Sequence, residues 1–146
     1  MLHDALGGFR YQPGFLIGIG LSLLTGFLIG AERESRNKPA GTGTYCLVIG
    51  GTMIFTYISA QVDPNSTSRI AAQIVTGIGF LGAGLILKTE ATEKITNLTT
   101  AAAIWFAASM GMAIGFNLYF IALVATVFGV MVPRIPHISK LKKKHT

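Results

Sequence analysis

Residues 95–132 read ITNLTTAAAIWFAASMGMAIGFNLYFIALVATVFGVMV, and no Asp, Glu, Lys or Arg interrupts them. A single α-helix of that length would rise about 57 Å at 1.5 Å per residue. The hydrocarbon core of a bilayer is only about 30 Å thick, so the segment must fold back on itself. Gly115-Phe116-Asn117 is the strongest turn signal inside it. The reading is a helix over 97–114 and another over 118–132, with a re-entrant hairpin as the alternative.

The same pattern recurs upstream. No charged residue lies between Arg10 and Glu32, between Lys38 and Asp63, or between Arg69 and Lys88. Each gap holds one apolar run long enough to span, at 15–31, 45–60 and 70–87. Overall 51% of the residues are apolar and 12% are charged, against about 25% charged in a soluble domain. A chain of 146 residues could not bury so many uncharged runs in a soluble core. The fold expected is an all-α integral membrane protein, a compact bundle of about five short transmembrane helices. Residues 1–13 precede it as an extracytoplasmic segment, 14–133 form the membrane domain, and 134–146 form a basic cytoplasmic tail. The first run ends in charges with no small-residue cleavage site before them, which reads as a retained helix and not a removed signal.

Orientation follows from the positive charges. Five passes gather ten of the twelve Lys and Arg on one face, among them Arg33, Arg36, Lys38, Lys88, Lys94, Arg134 and the four lysines from Lys140 onward. Arg10 and Arg69 fall on the other. The N-terminus is therefore expected outside and the C-terminal tail in the cytoplasm. The net charge of +6 is accounted for by these loops. The tail suits anionic lipid better than nucleic acid, which is not expected as a partner.

Helix association in lipid depends on close van der Waals approach. Gly14, Gly18, Ser22, Gly26 and Gly30 put a small residue at every fourth position of the first helix, and Thr99, Ala103, Ala107, Gly111 and Gly115 do so in the fourth. Both stripes read as packing grooves. The third helix is denser still, with Gly77, Gly79, Gly82 and Gly84 inside eight residues. Such a cluster points to close backbone packing or to a broken helix. An internal bundle covers these faces, and a homodimer is the other way to do it.

Few polar residues offer chemistry. Glu32, Arg33, Glu34, Arg36 and Lys38 read as a solvated cytoplasmic loop before Pro39-Ala40-Gly41. Glu32 and Glu34 are also the oxygen ligands that a hard cation such as Mg2+ would use, though no metal is specified. Arg69 and Gln73 share one face of the third helix, Arg69 reaching for headgroups and Gln73 requiring a partner on another helix. Thr96, Asn97, Thr99 and Thr100 are placed to cap the fourth helix, or to line a polar mouth beside Glu90 and Glu93. The single cysteine, Cys46, excludes an intramolecular disulfide and reads as a packed thiol. The three histidines are His3, His137 and His145, and no nucleophile–base set converges with them. No enzyme is expected, and no cofactor. Gly77 to Gly84 is not a dinucleotide fingerprint, because no βαβ unit can follow it.

Four blocks carry a resemblance. They are Gly30-Ala31-Glu32-Arg33-Glu34-Ser35-Arg36, Lys38-Pro39-Ala40-Gly41, the stretch from Arg69 through Gln73 to Gly84, and Leu98-Thr99-Thr100-Ala101-Ala102-Ala103-Ile104-Trp105. Together they resemble the MgtC/SapB family of bacterial inner-membrane proteins, over nearly the whole chain. The resemblance implies a link to growth in low magnesium, to survival of some pathogens in macrophages, and to regulation of other membrane complexes, including the ATP synthase. Two positions depart from the family pattern. An arginine is usual in an Ala-Gly-Leu-Arg-Thr turn, where this chain has Ala40-Gly41-Thr42-Gly43-Thr44, and a glycine is usual where Asn97 stands. Many relatives also carry a cytoplasmic C-terminal domain. The function expected is a non-enzymatic regulator or accessory factor in magnesium and ion homeostasis and membrane energetics, partnered with lipid and another membrane complex. The alternative is a small cation transporter or channel lined by Gln73, the third helix and Thr99.

Overall fold

A computed structural model describes residues 13–86 and 96–135. Lys88, Lys94, Glu90, Glu93, Arg10, the three histidines and the tail lysines lie outside them. Five helices follow one another, α1 (Pro13–Glu34), α2 (Thr42–Val62), α3 (Thr67–Ile86), α4 (Leu98–Gly115) and α5 (Tyr119–Met131), closed by a 3-10 turn, Val132–Arg134. The first four are long and apolar enough to cross a membrane. The fifth has 13 residues. Leu47, Phe55, Phe80 and Phe120 are each 60–81% exposed on the outside of the bundle, as expected where lipid is the solvent.

The turns are built by asparagine. Asn37 and Asn117 both take left-handed backbone, with φ of 52° and 61°. At the first, Lys38 N–H donates to the Arg33 carbonyl and Asn37 N–H to that of Glu34. At the second, Leu118 N–H donates to Ala113 and Asn117 N–H to Ile114. These are paired Schellman closures that satisfy the last carbonyls of α1 and α4. The fold-back expected at Gly115-Phe116-Asn117 is therefore present, and Asn117 makes it.

The centre of the bundle is α2. Its buried line of Tyr45, Val48, Ile49, Thr52, Met53, Thr56 and Ser59 receives α1 on one side and α4 on the other. A Cβ on Gly26 would lie 2.6 Å from the Cys46 Cα, and one on Gly30 would sit on the Thr42 backbone. On α4, a Cβ on Gly111 would meet Thr52 and the Ile49 carbonyl, and one on Gly115 would lie 2.7 Å from the Met53 carbonyl. Gly18, Ser22 and Ala107 are buried along the same two lines. Both stripes expected as packing grooves serve as such, and both meet α2. Thr99, at the start of the α4 stripe, is exposed.

The third helix departs from expectation. It is continuous from Thr67 to Ile86, so the glycines do not break it. Nor do most of them pack closely within the chain. Among the described residues nothing lies within 4 Å of a Cβ built on Gly77, Gly79 or Gly84, and Gly82 makes only ordinary contact with Ala101. The cause is angular. α3 docks through Ile74, Ile78 and Gly82, one face at spacing four, and the other three glycines fall on different faces. Asn97 also departs from the capping role. It sits at the N-cap of α4 with φ of 65° and makes no side-chain cap bond. Left-handed backbone favours glycine first and asparagine next, which suits the glycine usual at this position in the family.

Candidate functional site

The charged end of α1 is not the solvated loop that its composition suggests. The helix runs on through Glu34, and its last turn turns two charges inward. Glu32 is 7% exposed and Arg33 2%. Burying either alone would be prohibitive, so they are buried together. One carboxylate oxygen of Glu32 lies 2.5 Å from the Arg36 Nε, one turn on, and the other lies 3.7 Å from the Arg33 Nε. These are ion contacts without hydrogen-bond geometry, since both Glu32 oxygens and the Arg33 Nε lack a hydrogen-bonded partner. Ser35 Oγ donates to the Glu32 carbonyl at 2.7 Å, which tightens the turn.

The fully buried Tyr45 completes this cluster from the first turns of α2. Arg33 and Glu32 both act electrostatically on its phenol, and the Arg33 guanidinium stands beside the hydroxyl. Sequence reading passed over Tyr45 because it opens an otherwise apolar run. Its one available signal was a tyrosine directly after a charged, proline-containing turn. The flanking contacts hold the cluster in place. Glu34 accepts a hydrogen bond from the Thr42 N–H at 2.7 Å, a negative charge at the N-terminus of α2 where the helix dipole favours it. A Cβ on Gly41 would overlap the Glu34 carboxylate, so a side chain there would displace Glu34 from the Thr42 N–H. Arg36 donates to the Pro133 carbonyl at 2.9 Å, tying this end of α1 to the end of α5.

Of the residues singled out in sequence, Glu32, Arg33, Glu34 and Arg36 come together. Lys38 is exposed in the turn, Thr99 is exposed and Thr100 is buried. Glu32 and Glu34 do not converge as a pair of oxygen ligands, since one faces guanidinium groups and the other a backbone N–H. Among the described residues no group of three His, Cys, Asp or Glu is placed to hold a metal ion. Gly43, at the position of the arginine that the family resemblance implies, has open space around it among the described residues.

Arg69 and Gln73 lie at the opposite end of α2. They share the wall of a cavity of about 350 Å3 with Ser59, Asp63 and Ser66, between the last turn of α2 and the first turns of α3. The shared face of Arg69 and Gln73 is as expected. The partner expected for Gln73 is not found on another helix among the described residues, and Gln73 opens on this cavity. Asp63, which sequence reading did not single out, joins them.

Comparison with known proteins places this arrangement. The chain matches the MgtC family over residues 19–138. It is 42% identical to Protein MgtC of Salmonella typhimurium over 113 residues, covering 77% of this chain and 48% of that protein. It is 36% identical to Protein SapB of Bacillus subtilis over 129 residues, covering 80% of this chain and 54% of the relative. Against Protein SrpB of Synechococcus elongatus the identity is 36% over 121 residues, with 74% and 66% covered. The chain spans about half the length of the first two of these relatives. No solved structure matches it. With four helices fit to span and a buried ionic cluster at one end of α2, the chain is a multi-pass membrane protein that belongs to the MgtC family.

Proposed function

We propose that this protein is a non-enzymatic regulator or accessory factor of magnesium and ion homeostasis and membrane energetics. It acts by helix contact in the bacterial inner membrane, with its N-terminus outside and its C-terminal end in the cytoplasm. The carrying observation is the outward surface of α3. Only 11% of its best spanning window is buried, against 33–56% for the other three long helices. On one side of that surface Ala72, Gly79 and Ala83 form a line of small residues, all exposed. A second transmembrane helix could approach such a line closely. The magnesium connection comes from the family resemblance and the relative named MgtC. The charges near α1 support a contact role as well, because Glu32, Arg33 and Arg36 engage one another.

A photo-crosslinking residue in place of Gly79, in native membranes under magnesium limitation, tests the reading. Recovery of a second membrane protein supports it. Recovery of this protein alone overturns it. The competing reading, cation transport, draws on the buried Glu32 carboxylate and on the polar cavity at the far end of α2. It requires ion flux across liposomes containing the purified protein, and an absence of flux over several cations removes it.

A further inference from the structure

The cavity between α2 and α3 offers one cation, Arg69, and one anion, Asp63, with the Gln73 amide and the Ser59 and Ser66 hydroxyls between them. A purely anionic ligand would face Asp63, and a purely cationic one would face Arg69. A ligand carrying both a phosphate and an amine answers each charge with its opposite. The volume, about 350 Å3, lies at the small end of the range for ligand pockets.

Depth narrows the source. With 21 and 20 residues, α2 and α3 each rise about 30 Å, the thickness of the hydrocarbon. Their connecting turn at Asp63 and Ser66 therefore lies at headgroup level. Gln73, seven residues along from Ser66, has its backbone about 10 Å deeper, among the upper acyl chains, and its side chain tilts back toward the N-terminus of α3 and the ester level. Ile70 also lines the cavity and is half-exposed toward lipid.

The surface below continues the site. Gly77 and Gly84 fall on the Gln73 side of α3, about a third of a turn round from the Ala72–Gly79–Ala83 line, by helical spacing. Among the described residues nothing occupies the space a Cβ would take on either. Phe80, 81% exposed, stands out beside them. Glycine lowers helix stability relative to alanine, and no contact within the described chain offsets that at these two positions. The result is a shallow strip that leads from the cavity along α3.

We infer that the cavity binds the headgroup of a phospholipid bearing both phosphate and primary amine, the phosphoethanolamine type. Arg69 donates to the phosphate, Asp63 accepts from the ammonium, and Gln73 bonds the deeper phosphate or ester oxygens. An acyl chain lies along the Gly77–Gly84 strip. This inference is independent of the proposed regulatory role, since it uses another side of α3.

The test is native mass spectrometry on the purified full chain, with phosphatidylethanolamine and phosphatidylglycerol of matched acyl chains. Wild type retains the amine lipid about tenfold better. Arg69→Ala loses retention of the amine lipid about tenfold or more, and Asp63→Asn brings it down to the level of the glycerol lipid. Gly77→Leu weakens both lipids and leaves the preference intact. Arg69, Asp63 and Gly77 are exposed, and unchanged helical circular dichroism checks that each variant folds. Equal retention of both lipids by wild type overturns the inference, as does full retention by Arg69→Ala or an undiminished preference in Asp63→Asn. Displacement of the lipid by an equal concentration of free phosphoethanolamine also overturns it, by assigning the cavity to a soluble ligand.

Discussion

Every described residue with positive φ is an asparagine, at 37, 97 and 117, and no described glycine takes that backbone. Close approach takes Gly26 and Gly30 of α1 and Gly111 and Gly115 of α4, and asparagine is left to make the turns. Asn37 closes α1 directly after the Glu32 cluster, so its backbone positions the buried charges. Replacing Asn37 by glycine should leave stability unchanged or slightly raised, while valine should cost about 1–2 kcal/mol, read from equilibrium unfolding in mixed micelles. Glu32→Gln should cost more, about 3 kcal/mol, because it leaves Arg33 buried without its counter-charge. Adding Arg33→Met to Glu32→Gln should recover most of that loss. If the double variant is no more stable than the single one, the charges are not compensating one another. This burial was not legible in sequence. A run of Glu and Arg at the end of an apolar segment looks the same whether it faces water or turns inward, and only contact with α2 decides. Tyr45 was hidden for the same reason, since a tyrosine among apolar residues carries no mark of its partners.

The helices themselves were largely legible, because hydrocarbon thickness fixes their length and charges fix their ends. The expected 15–31, 45–60, 70–87, 97–114 and 118–132 each fall within a few residues of an observed helix. What spacing could not reveal was which glycines would meet a neighbour. Stripes at every fourth residue in α1 and α4 face α2, whereas the denser cluster in α3 is mostly turned outward. A glycine count measures how closely something could approach, and it is silent on what does. Substitution separates the two kinds. Gly111→Ala drives a methyl into Thr52 and the Ile49 carbonyl and should destabilise by about 1–3 kcal/mol. Gly79→Ala meets nothing among the described residues and should stabilise α3 by up to about 1 kcal/mol. Thermal unfolding followed by circular dichroism reads both, and equal losses would contradict the outward placement of Gly79.

Across the whole molecule, four long helices and a short fifth arrange the two polar sites at opposite ends of α2. In a Cys46→Ala background, single cysteines at Lys38 and Asn65 should be labelled from opposite sides of the membrane, Lys38 from the cytoplasm. Labelling of both from one side would defeat the proposed topology. The shortness of α5 has a physical consequence of its own. Its 13 residues rise about 20 Å, and the following 3-10 turn adds about 6 Å at 2.0 Å per residue. Against roughly 30 Å of hydrocarbon, the lipid beside α5 must thin locally, at a fraction of a kcal/mol for each ångström of mismatch. The protein should therefore unfold at a higher temperature in short-chain bilayers than in long-chain ones. Because Arg36 holds the Pro133 carbonyl just past α5, a thickening membrane would pull on the same arginine that pairs with Glu32, so bilayer thickness becomes a mechanical load on the buried charges.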